Sequence, residues 1–223
     1  MGVSVMSVYA IVPVKNLSKS KARLSNVLSQ EERQLLTLAM LEDVLRALRS
    51  SVISRVVVIG SDLTLQALTS RFGLSYIFES SRGLNQATQL ATEWCVHNGA
   101  ASTLIVPADV PLITGEDINR IVKLGSKERM AVIAPSADGG TNALFQKPPN
   151  LIPASFGPDS FINHAKRALS KRIPIKFYYS KNTSLDIDSL DDLRDFLEIR
   201  NQTISRRFLE RIRLDSRLVE SWK

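Results

Sequence analysis

Four cations stand close together in the run VPVKNLSKSKARL, which begins at Val12 and continues a β-branched stretch. They are Lys15, Lys19, Lys21 and Arg23. Lysine binds phosphate as a point charge and arginine binds it as a bidentate fork. Because α/β sheets bind ligands at the carboxyl ends of their strands, this run predicts a site for an anion, most simply a polyphosphate. The alternative is a solvated basic loop that binds no ligand.

Three aspartates are candidate ligands for a hard cation at the edge of the sheet. Asp109 directly follows an apolar run, in the sequence PADVPLI, and Asp186 and Asp188 are two residues apart in LDIDS. In an extended segment this spacing places both carboxylates on one side, and like charges so close are unfavourable unless a cation lies between them. Mg²⁺ is bound by such carboxylates together with phosphate oxygens. The alternatives are that Asp109 ends a strand through turn chemistry and that Asp188 caps the following helix.

Two glycine-containing segments, DGGTNA from Asp138 and FGPDS from Phe156, offer small neutral donors. Glycine allows a ligand to approach the backbone closely, and hydroxyl and amide groups offer hydrogen bonds. The residues concerned are Gly139, Gly140, Thr141, Asn142, Gly157 and Ser160. Ser160 also begins a predicted helix, where main-chain N–H groups attract an anion. Ordinary turns are the alternative interpretation.

The other candidate residues give weaker signals. Asn85, in the sequence GLN at the start of a predicted helix, either caps that helix or contacts a purine edge. His97 and His164 fall within helical patterns and are interpreted as surface or packing residues. Cys95 lies in mid-helix beside Trp94, which predicts a buried and unreactive thiol.

Strand and helix patterns alternate along almost the whole chain, which predicts an α/β fold with a mainly parallel sheet and helices on both faces. The predicted strands are Val8–Val14, Arg55–Ile59, Ser75–Phe78, Thr103–Val106, Met130–Ala134 and Ile175–Tyr179, with a further short strand in DGGTNALF. Capping boxes that begin at Ser29 and at Thr114 mark two helix starts. Neither a dinucleotide fingerprint nor a P-loop motif occurs, so phosphates must be held by side-chain cations.

Length and composition indicate one main domain. The chain has 223 residues and is 44% hydrophobic, enough for a full core, and we expect a domain over residues 1–199 and an Arg-rich helical extension over residues 200–223. A single cysteine and two histidines exclude a disulfide framework and a zinc site of the Cys/His type, and they predict a reducing cytoplasm. The apolar segment Val3–Val14 is too short to span a bilayer and reads as a disordered start before a strand, with Met1 or Met6 as the initiator.

The Arg-rich extension accounts for most of the basic charge. Residues 200–223 hold seven cations against three acids, which leaves the preceding residues only +3 of the total charge of +7. Ile204, Phe208, Ile212 and Leu214 fall near helical spacing, without the aromatic ladder typical of RNA binding. We therefore expect a solvated helix whose apolar stripe packs on the body or on a second subunit. Nucleic-acid binding is the alternative.

Six motifs occur in a fixed order: VPVKNLSKSKARLS, GLNQA, PADVPLI, DGGTNAL, FGPDS and LDIDSLDDL. Together they resemble the 2-phospho-L-lactate guanylyltransferase family of coenzyme F(420) biosynthesis, part of the molybdenum-cofactor-guanylyltransferase-like nucleotidyltransferases. The similarity extends from about Tyr9 to Phe196 and does not include the Arg-rich end. It implies a Rossmann-like three-layer α/β/α fold with a mixed, mainly parallel sheet of the GT-A type.

The resemblance implies roles for individual residues on the metal and acceptor sides. Asp109 and Asp186, with Asp188 as a third, match the aspartates that hold Mg²⁺ in the family. The pocket for a phosphorylated acid corresponds to Thr141, Asn142, Gly157 and Ser160. The family often has Thr where this chain has Asn142, so this chain departs from the family's pattern at that contact.

The resemblance also implies a nucleotide side. Lys15, Lys21 and Arg23 match the loop that receives the nucleoside triphosphate, and Pro13, Val14, Gly83 and Asn85 adjoin it in sequence or in the expected topology. Lys21, Arg23 and Asp109 are the residues expected to act in catalysis. Asp62, Glu79 and Asn85 are candidates for reading the guanine base.

The implied reaction joins GTP and 2-phospho-L-lactate to give lactyl-2-diphospho-5′-guanosine and pyrophosphate. Its nucleophile is a phosphate oxygen whose second pKa is about 6, so no general base is needed at neutral pH. Related nucleotidyltransferases that use phosphoenolpyruvate or 3-phosphoglycerate, or another base, are the alternatives, followed by a nucleic-acid-binding protein. We expect a cytoplasmic homodimer formed through the C-terminal helices, with no membrane or nucleic-acid partner.

Overall fold

The computed structural model describes residues 7–80, 83–214 and 216–217. The expected irregular start and the alternative initiators Met1 and Met6 lie outside these ranges. The strands are β1 (Val8–Val14), β2 (Arg55–Gly60), β3 (Ser75–Phe78), β4 (Ser102–Ile105), β5 (Met130–Pro135), β6 (Thr141–Lys147) and β7 (Ile175–Phe177). The helices are α1 (Gln30–Arg49), α2 (Leu63–Arg71), α3 (Leu84–His97), α4 (Gly115–Leu124), α5 (Ser160–Ser170), α6 (Lys181–Ser184), α7 (Leu190–Glu198) and α8 (Ile204–Arg211).

The strands form one sheet in the order β3-β2-β1-β4-β6-β5-β7. Only β6 is antiparallel to its neighbours β4 and β5, and the other pairs are parallel. The predicted mixed, mainly parallel sheet is confirmed. Because β6 runs in reverse, its first residues lie at the same edge as the carboxyl end of β4, where Ile105 pairs with Leu144.

The two faces of the sheet carry separate cores, which alternate along each strand as the pleat requires. Val12 packs with Leu45 of α1 and Ile121 of α4 on one face. Ile11 packs with Ala91 of α3 and Ala168 of α5 on the other. Every residue of β1 is buried because helices cover both of its sides. This arrangement gives the three layers that the sequence predicts.

Local sequence signals define most element boundaries. The capping boxes predicted at Ser29 and Thr114 both form, and Ser189 begins a third with Asp192. Strand β7 ends at Phe177, two residues before the predicted end, and the short helix α6 was not predicted. The basic run contains two 3₁₀ turns, Leu17–Lys19 and Ala22–Leu24, where the sequence predicted only a loop.

Helix α8 packs against α1 of the same chain. Phe208 and Leu209 are buried in a third core with Leu36 and Met40. The carboxylate of Asp43 accepts hydrogen bonds from the main-chain N–H groups of Ile204 and Ser205 (2.7 and 2.9 Å) and from the Ser205 hydroxyl (2.6 Å). The apolar stripe therefore covers the body, the first of the two predicted destinations. Within the described part of the chain no helix is long and apolar enough to cross a membrane.

Candidate active site

A cleft of about 620 Å³ opens where β1 and β4 end and β6 begins. Most of the predicted site residues line it: Pro13, Val14, Lys15, Lys21, Arg23, Asp109, Thr141, Asn142, Gly157, Ser160, Asp186 and Asp188. Gly83 and Asn85 lie outside the lining, although Leu84 between them contributes to it. Twelve of the fourteen positions predicted from sequence are thus brought to one edge of the sheet.

The three aspartates form one carboxylate cluster. Asp109 follows β4, while Asp186 and Asp188 lie between α6 and α7, and one oxygen of each lies within 4.8 Å of the others. A hydrogen bond of 3.0 Å from the main-chain N–H of Ile187 to the carbonyl oxygen of Asp109 joins the two segments. Ile187 itself is fully buried, so the spacing of two places its neighbours on the cleft side as predicted.

Lys21 lies between two of these carboxylates. Its Nζ is 2.7 Å from Asp109 Oδ2 and 2.6 Å from Asp188 Oδ1, and its side chain is only 5% exposed. Burial alone would lower the pKa of Lys21, but the two carboxylates outweigh it and raise the pKa. Its backbone is left-handed (φ 51°), a conformation that a non-glycine residue rarely adopts without support from its surroundings.

Asp188 and Asp186 differ in their electrostatic surroundings. Burial raises the pKa of Asp188, but Lys21, and more weakly Lys15 and Arg23, lower it overall. Burial, followed by the nearby charge of Asp109, raises the pKa of Asp186 to about 7. An oxygen-only donor set that includes a carboxylate with a raised pKa suits a hard divalent cation, because added positive charge relieves the repulsion.

Asn142 holds Asp186 in place. Its Nδ2 donates to Asp186 Oδ1 at 3.0 Å and to the carbonyl oxygen of Thr183 at 3.0 Å. Both amide hydrogens are therefore donated within the protein. The predicted contact of Asn142 with the phosphorylated acid stays a prediction, and the geometry gives this residue a supporting role at the carboxylate cluster.

Small neutral residues, which include Thr141, Gly157 and Ser160, form a further wall of the same cleft, together with Asp138 and Asp159. Gly157 has φ 126°, a conformation that L residues rarely adopt, and Ser160 is almost completely buried at the start of α5. The N–H of Ser160 donates to the Gly157 carbonyl at 3.1 Å and the N–H of Phe161 donates to the Gly139 carbonyl at 3.2 Å. These two N–H groups are engaged within the protein, and the anion attraction at this helix start stays a prediction.

Asn85 fixes the loop that leads to this wall. Its Oδ1 accepts from the N–H of Phe156 at 2.7 Å and its Nδ2 donates to the Phe156 carbonyl at 3.1 Å. Gly83, and not Asn85, is the N-cap residue of α3, so the capping interpretation is wrong. A nucleotide contact for Asn85 stays a prediction.

His164 is a residue that the sequence interpretation underrated. It is completely buried, with Nδ1 at 3.0 Å from Thr141 Oγ1 and Nε2 accepting from the Ser155 N–H at 2.9 Å. Its position four residues after Ser160 was the available signal, because that spacing places both on one helix face. Cys95, by contrast, is buried as predicted, and burial raises the pKa of its thiol to about 12.

Comparison with known proteins shows the family to which this chain belongs. Residues 8–223 match the model of a protein family described as "Guanylyl transferase CofC like". The chain belongs to this family. The CofC-like match covers the Arg-rich end as well, which the motif resemblance did not reach.

Curated relatives agree with the assignment to the CofC-like family, and a solved structure shares the fold. The chain is 37% identical to a phosphoenolpyruvate guanylyltransferase of Roseiflexus sp. strain RS-1, over 92% of this chain and 94% of that protein. It is 36% identical to a 2-phospho-L-lactate guanylyltransferase of Methanocaldococcus vulcanius, over 90% and 89%. A putative nucleotide-diphospho-sugar transferase from Desulfovibrio desulfuricans G20 shares the fold, with a TM-score of 0.79 at 16% identity over 96% and 98% of the two chains.

Proposed function

We propose that the protein transfers GMP from GTP to 2-phospho-L-lactate, giving lactyl-2-diphospho-5′-guanosine and pyrophosphate, in coenzyme F(420) biosynthesis. The observation that carries this proposal is that one cleft is lined by basic side chains, by the cluster of three carboxylates and by small neutral donors. The cations and carboxylates suit a triphosphate with a metal ion. Thr141, Gly157 and Ser160 suit a small phosphorylated acid, because neutral donors bind its oxygens without competing for the metal.

The chemistry needs charge neutralisation more than proton transfer. A phosphate oxygen of the acceptor forms a bond to the α-phosphorus of GTP, and the bond from that phosphorus to the oxygen bridging to the β-phosphorus breaks. The electron pair leaves with pyrophosphate. Since the second pKa of a phosphate monoester is about 6, the nucleophile is already ionised at neutral pH. No side chain has to remove a proton.

The cations of the first loop supply this neutralisation. Lys15, Lys19 and Arg23 are exposed and line the cleft, while Lys21 is held between Asp109 and Asp188. Fixed charges of this kind lower the barrier because they require no reorganisation when charge develops. Mg²⁺ held by Asp109, Asp186 and Asp188 would supply further positive charge at the triphosphate.

Phosphoenolpyruvate is the second candidate acceptor. The name of the Roseiflexus relative favours it, whereas the name of the Methanocaldococcus relative favours 2-phospho-L-lactate, at nearly equal identity. Both acceptors present a phosphate beside a carboxylate and would meet the same wall. The position of Asn142 does not favour one acceptor over the other, because its amide hydrogens are donated to Asp186 and Thr183.

The deciding experiment measures pyrophosphate release over a matrix of nucleotides and acceptors. GTP, ATP and CTP are each combined with 2-phospho-L-lactate, phosphoenolpyruvate and 3-phosphoglycerate at fixed Mg²⁺. We expect turnover with GTP and 2-phospho-L-lactate. Turnover with GTP and phosphoenolpyruvate but not 2-phospho-L-lactate would refute the proposed acceptor in favour of the second candidate. Turnover restricted to 3-phosphoglycerate or to another nucleotide would refute both candidate acceptors or the proposed base.

The metal assignment is tested without relying on turnover. Mg²⁺ should raise the melting temperature of the wild type, and Asp109→Asn or Asp186→Asn should abolish that rise. Asp191→Asn is the matched control, because Asp191 is exposed on α7 and its ion pair among the described residues is with Arg194. An unchanged response to Mg²⁺ in Asp186→Asn would remove this residue from the metal site.

We also propose a homodimer, but not through α8. The apolar stripe of that helix is covered by α1 of its own chain, so a dimer would need another surface. Light scattering over a range of protein concentrations tests this point. A monomer at every concentration contradicts the homodimer.

A further inference from the structure

The buried side chain of His164 has a defined tautomer. A main-chain N–H can only donate, so the hydrogen bond from the Ser155 N–H fixes Nε2 as an acceptor. Burial, with a smaller effect of Arg167, lowers the pKa of His164 from 6.5 to about 4, so the ring is neutral at physiological pH. A neutral imidazole carries one proton, which must then be on Nδ1.

This tautomer determines what Thr141 can do. With its proton on Nδ1, His164 donates to Thr141 Oγ1 across the 3.0 Å contact. The hydroxyl of Thr141 then keeps its own hydrogen for another acceptor. No other partner of this hydroxyl occurs among residues 7–80, 83–214 and 216–217, and Thr141 lines the cleft. Its hydrogen is therefore available to a ligand.

The neighbouring donors strengthen the case for Thr141. Asn142 donates both hydrogens of its amide nitrogen to Thr183 and Asp186. The first main-chain N–H groups of α5 donate to Gly157 and Gly139. On this wall the hydroxyls of Thr141 and Ser160 are the side-chain donors that the described contacts leave free to face an acidic ligand.

The same ring also holds the adjacent loop. Ser155 donates to Nε2, and the ring of Phe156 packs edge-on against the imidazole with centroids 5.2 Å apart. Asn85 fixes Phe156 from the other side through its main-chain N–H and carbonyl. The backbone is thus tied immediately before Gly157, so His164 links the position of that loop to the direction of the Thr141 hydroxyl.

We propose that His164 is a positioning residue that makes the Thr141 hydroxyl a fixed hydrogen-bond donor to an acidic oxygen of the acceptor. This inference rests on the proposed function, because it takes the ligand at this wall to be the phosphorylated acid. The role differs from that of a proton-transfer group, since His164 does not itself contact the ligand. A histidine that merely fills the core would affect stability without affecting acceptor binding.

The kinetic test is a double-mutant cycle with GTP and whichever acceptor the wild type uses. Thr141→Val removes the donor and should raise the KM for the acceptor about 10- to 100-fold, the range for a hydrogen bond to a charged group, while the KM for GTP changes less than about twofold. Thr141→Ser should restore most of the affinity. His164→Phe should raise the acceptor KM as well, but by a clearly smaller factor in the Thr141→Val background than in the wild type, because the two side chains share one hydrogen bond.

An outcome in which the effects of the two substitutions multiply overturns the proposal, as does a normal acceptor KM in folded His164→Phe. His164→Asn sharpens the test, because its amide nitrogen can replace the Nδ1–H donor while the acceptor for Ser155 is lost. Its acceptor KM should lie closer to the wild type than that of His164→Phe. His97→Gln, a change at an exposed position of α3, is the matched control and should leave all constants unchanged.

A spectroscopic test separates this inference from the proposed function. Nitrogen-15 NMR of labelled histidine, assigned with His97→Gln, should place the proton of His164 on Nδ1 in the protein without nucleotide or acceptor. A proton on Nε2 overturns the inference even if the guanylyltransferase assay succeeds. If the wild type releases no pyrophosphate with any acceptor, the proposed function fails, and the tautomer alone then decides whether the Thr141 donor exists.

Discussion

Two segments of this molecule are rich in cations, and they use their charges differently. In residues 15–23, Lys21 is buried and shared by Asp109 and Asp188 where two strands end. In residues 200–217, Arg206 pairs with Glu210 one helical turn away and Arg217 pairs with Glu32 at the surface. Both segments hold the same surplus, four positive charges. The comparison teaches that the location of a cation relative to the sheet edge, and not the number of cations, indicates chemistry.

The largest effect is expected from a substitution in residues 15–23. Lys21→Met should lower turnover by about 100- to 1000-fold, because it removes a fixed positive charge from the site of phosphoryl transfer. The measurement is kcat with GTP and acceptor at saturating Mg²⁺, with circular dichroism as a check of folding.

The matched change in the second segment replaces Arg207, Arg211 and Arg213 by Gln together. These side chains are exposed, so kcat and both KM values should stay within about twofold of the wild type. A folded but inactive triple variant would show that the Arg-rich segment takes part in the reaction.

The second prediction concerns what the Arg-rich segment does contribute. Asp43→Ala should lower the free energy of unfolding by about 3 kcal/mol, because it leaves the N–H groups of Ile204 and Ser205 without their acceptor. Activity per folded molecule should not change. Urea denaturation measures the effect, and Glu42→Ala, which removes only a pairing with Arg46 near the surface, is the control.

The third prediction concerns the pH dependence of stability that the buried, neutral side chain of His164 causes. The pKa of His164 is lowered from 6.5 to about 4 in the folded protein, so the unfolded chain binds more protons between these values. Its contribution to stability is complete above pH 6.5 and is lost as the pH falls towards 4. From pH 7 to pH 5 the wild type should lose about 2 kcal/mol that His164→Phe does not lose. Equal losses in the two proteins would place the titration elsewhere, and His97→Gln should behave like the wild type.

The smallest expected effect belongs to the surface ion pairs. Arg217→Gln should change the free energy of unfolding by less than about 1 kcal/mol, because its pair with Glu32 is partly solvated. Raising the ionic strength should reduce even this difference. A larger loss of stability in thermal unfolding that persists at high salt would contradict this prediction. It would show that the charges of the Arg-rich segment stabilise the fold.

The fold was predictable because its signals are local. The β-branched run of β1 and the capping boxes at Ser29 and Thr114 each depend on residues within a few positions, and they define elements where expected. The carboxylate cluster was predictable for a related reason. Asp109 follows a strand, and Asp186 and Asp188 flank an apolar residue, so type and spacing already place them at one edge.

The partners of these residues were not predictable, because they come from distant parts of the chain. Lys21 and Asp188 are 167 positions apart. Nothing in the local sequence indicates that the ammonium group of Lys21 donates a hydrogen bond to the carboxylate of Asp188. Asn142 was expected to contact the phosphorylated acid, and nothing in the sequence indicated that its amide nitrogen also donates to Asp186. His164 became interesting only when the neighbours of both its ring nitrogens were known.

The reversed direction of β6 has a consequence for how related chains can diverge. Strands β5 and β6 form a hairpin whose pairing, from Ala134 with Ala143 to Met130 with Lys147, lies away from the cleft. The turn between them reaches the cleft at Ser136, Asp138 and Gly140. Adding or removing residues in such a turn costs little loop entropy and does not shift the pairing behind it. The depth of the cleft can therefore change by insertion or deletion at one turn, while the core and the carboxylate cluster stay the same.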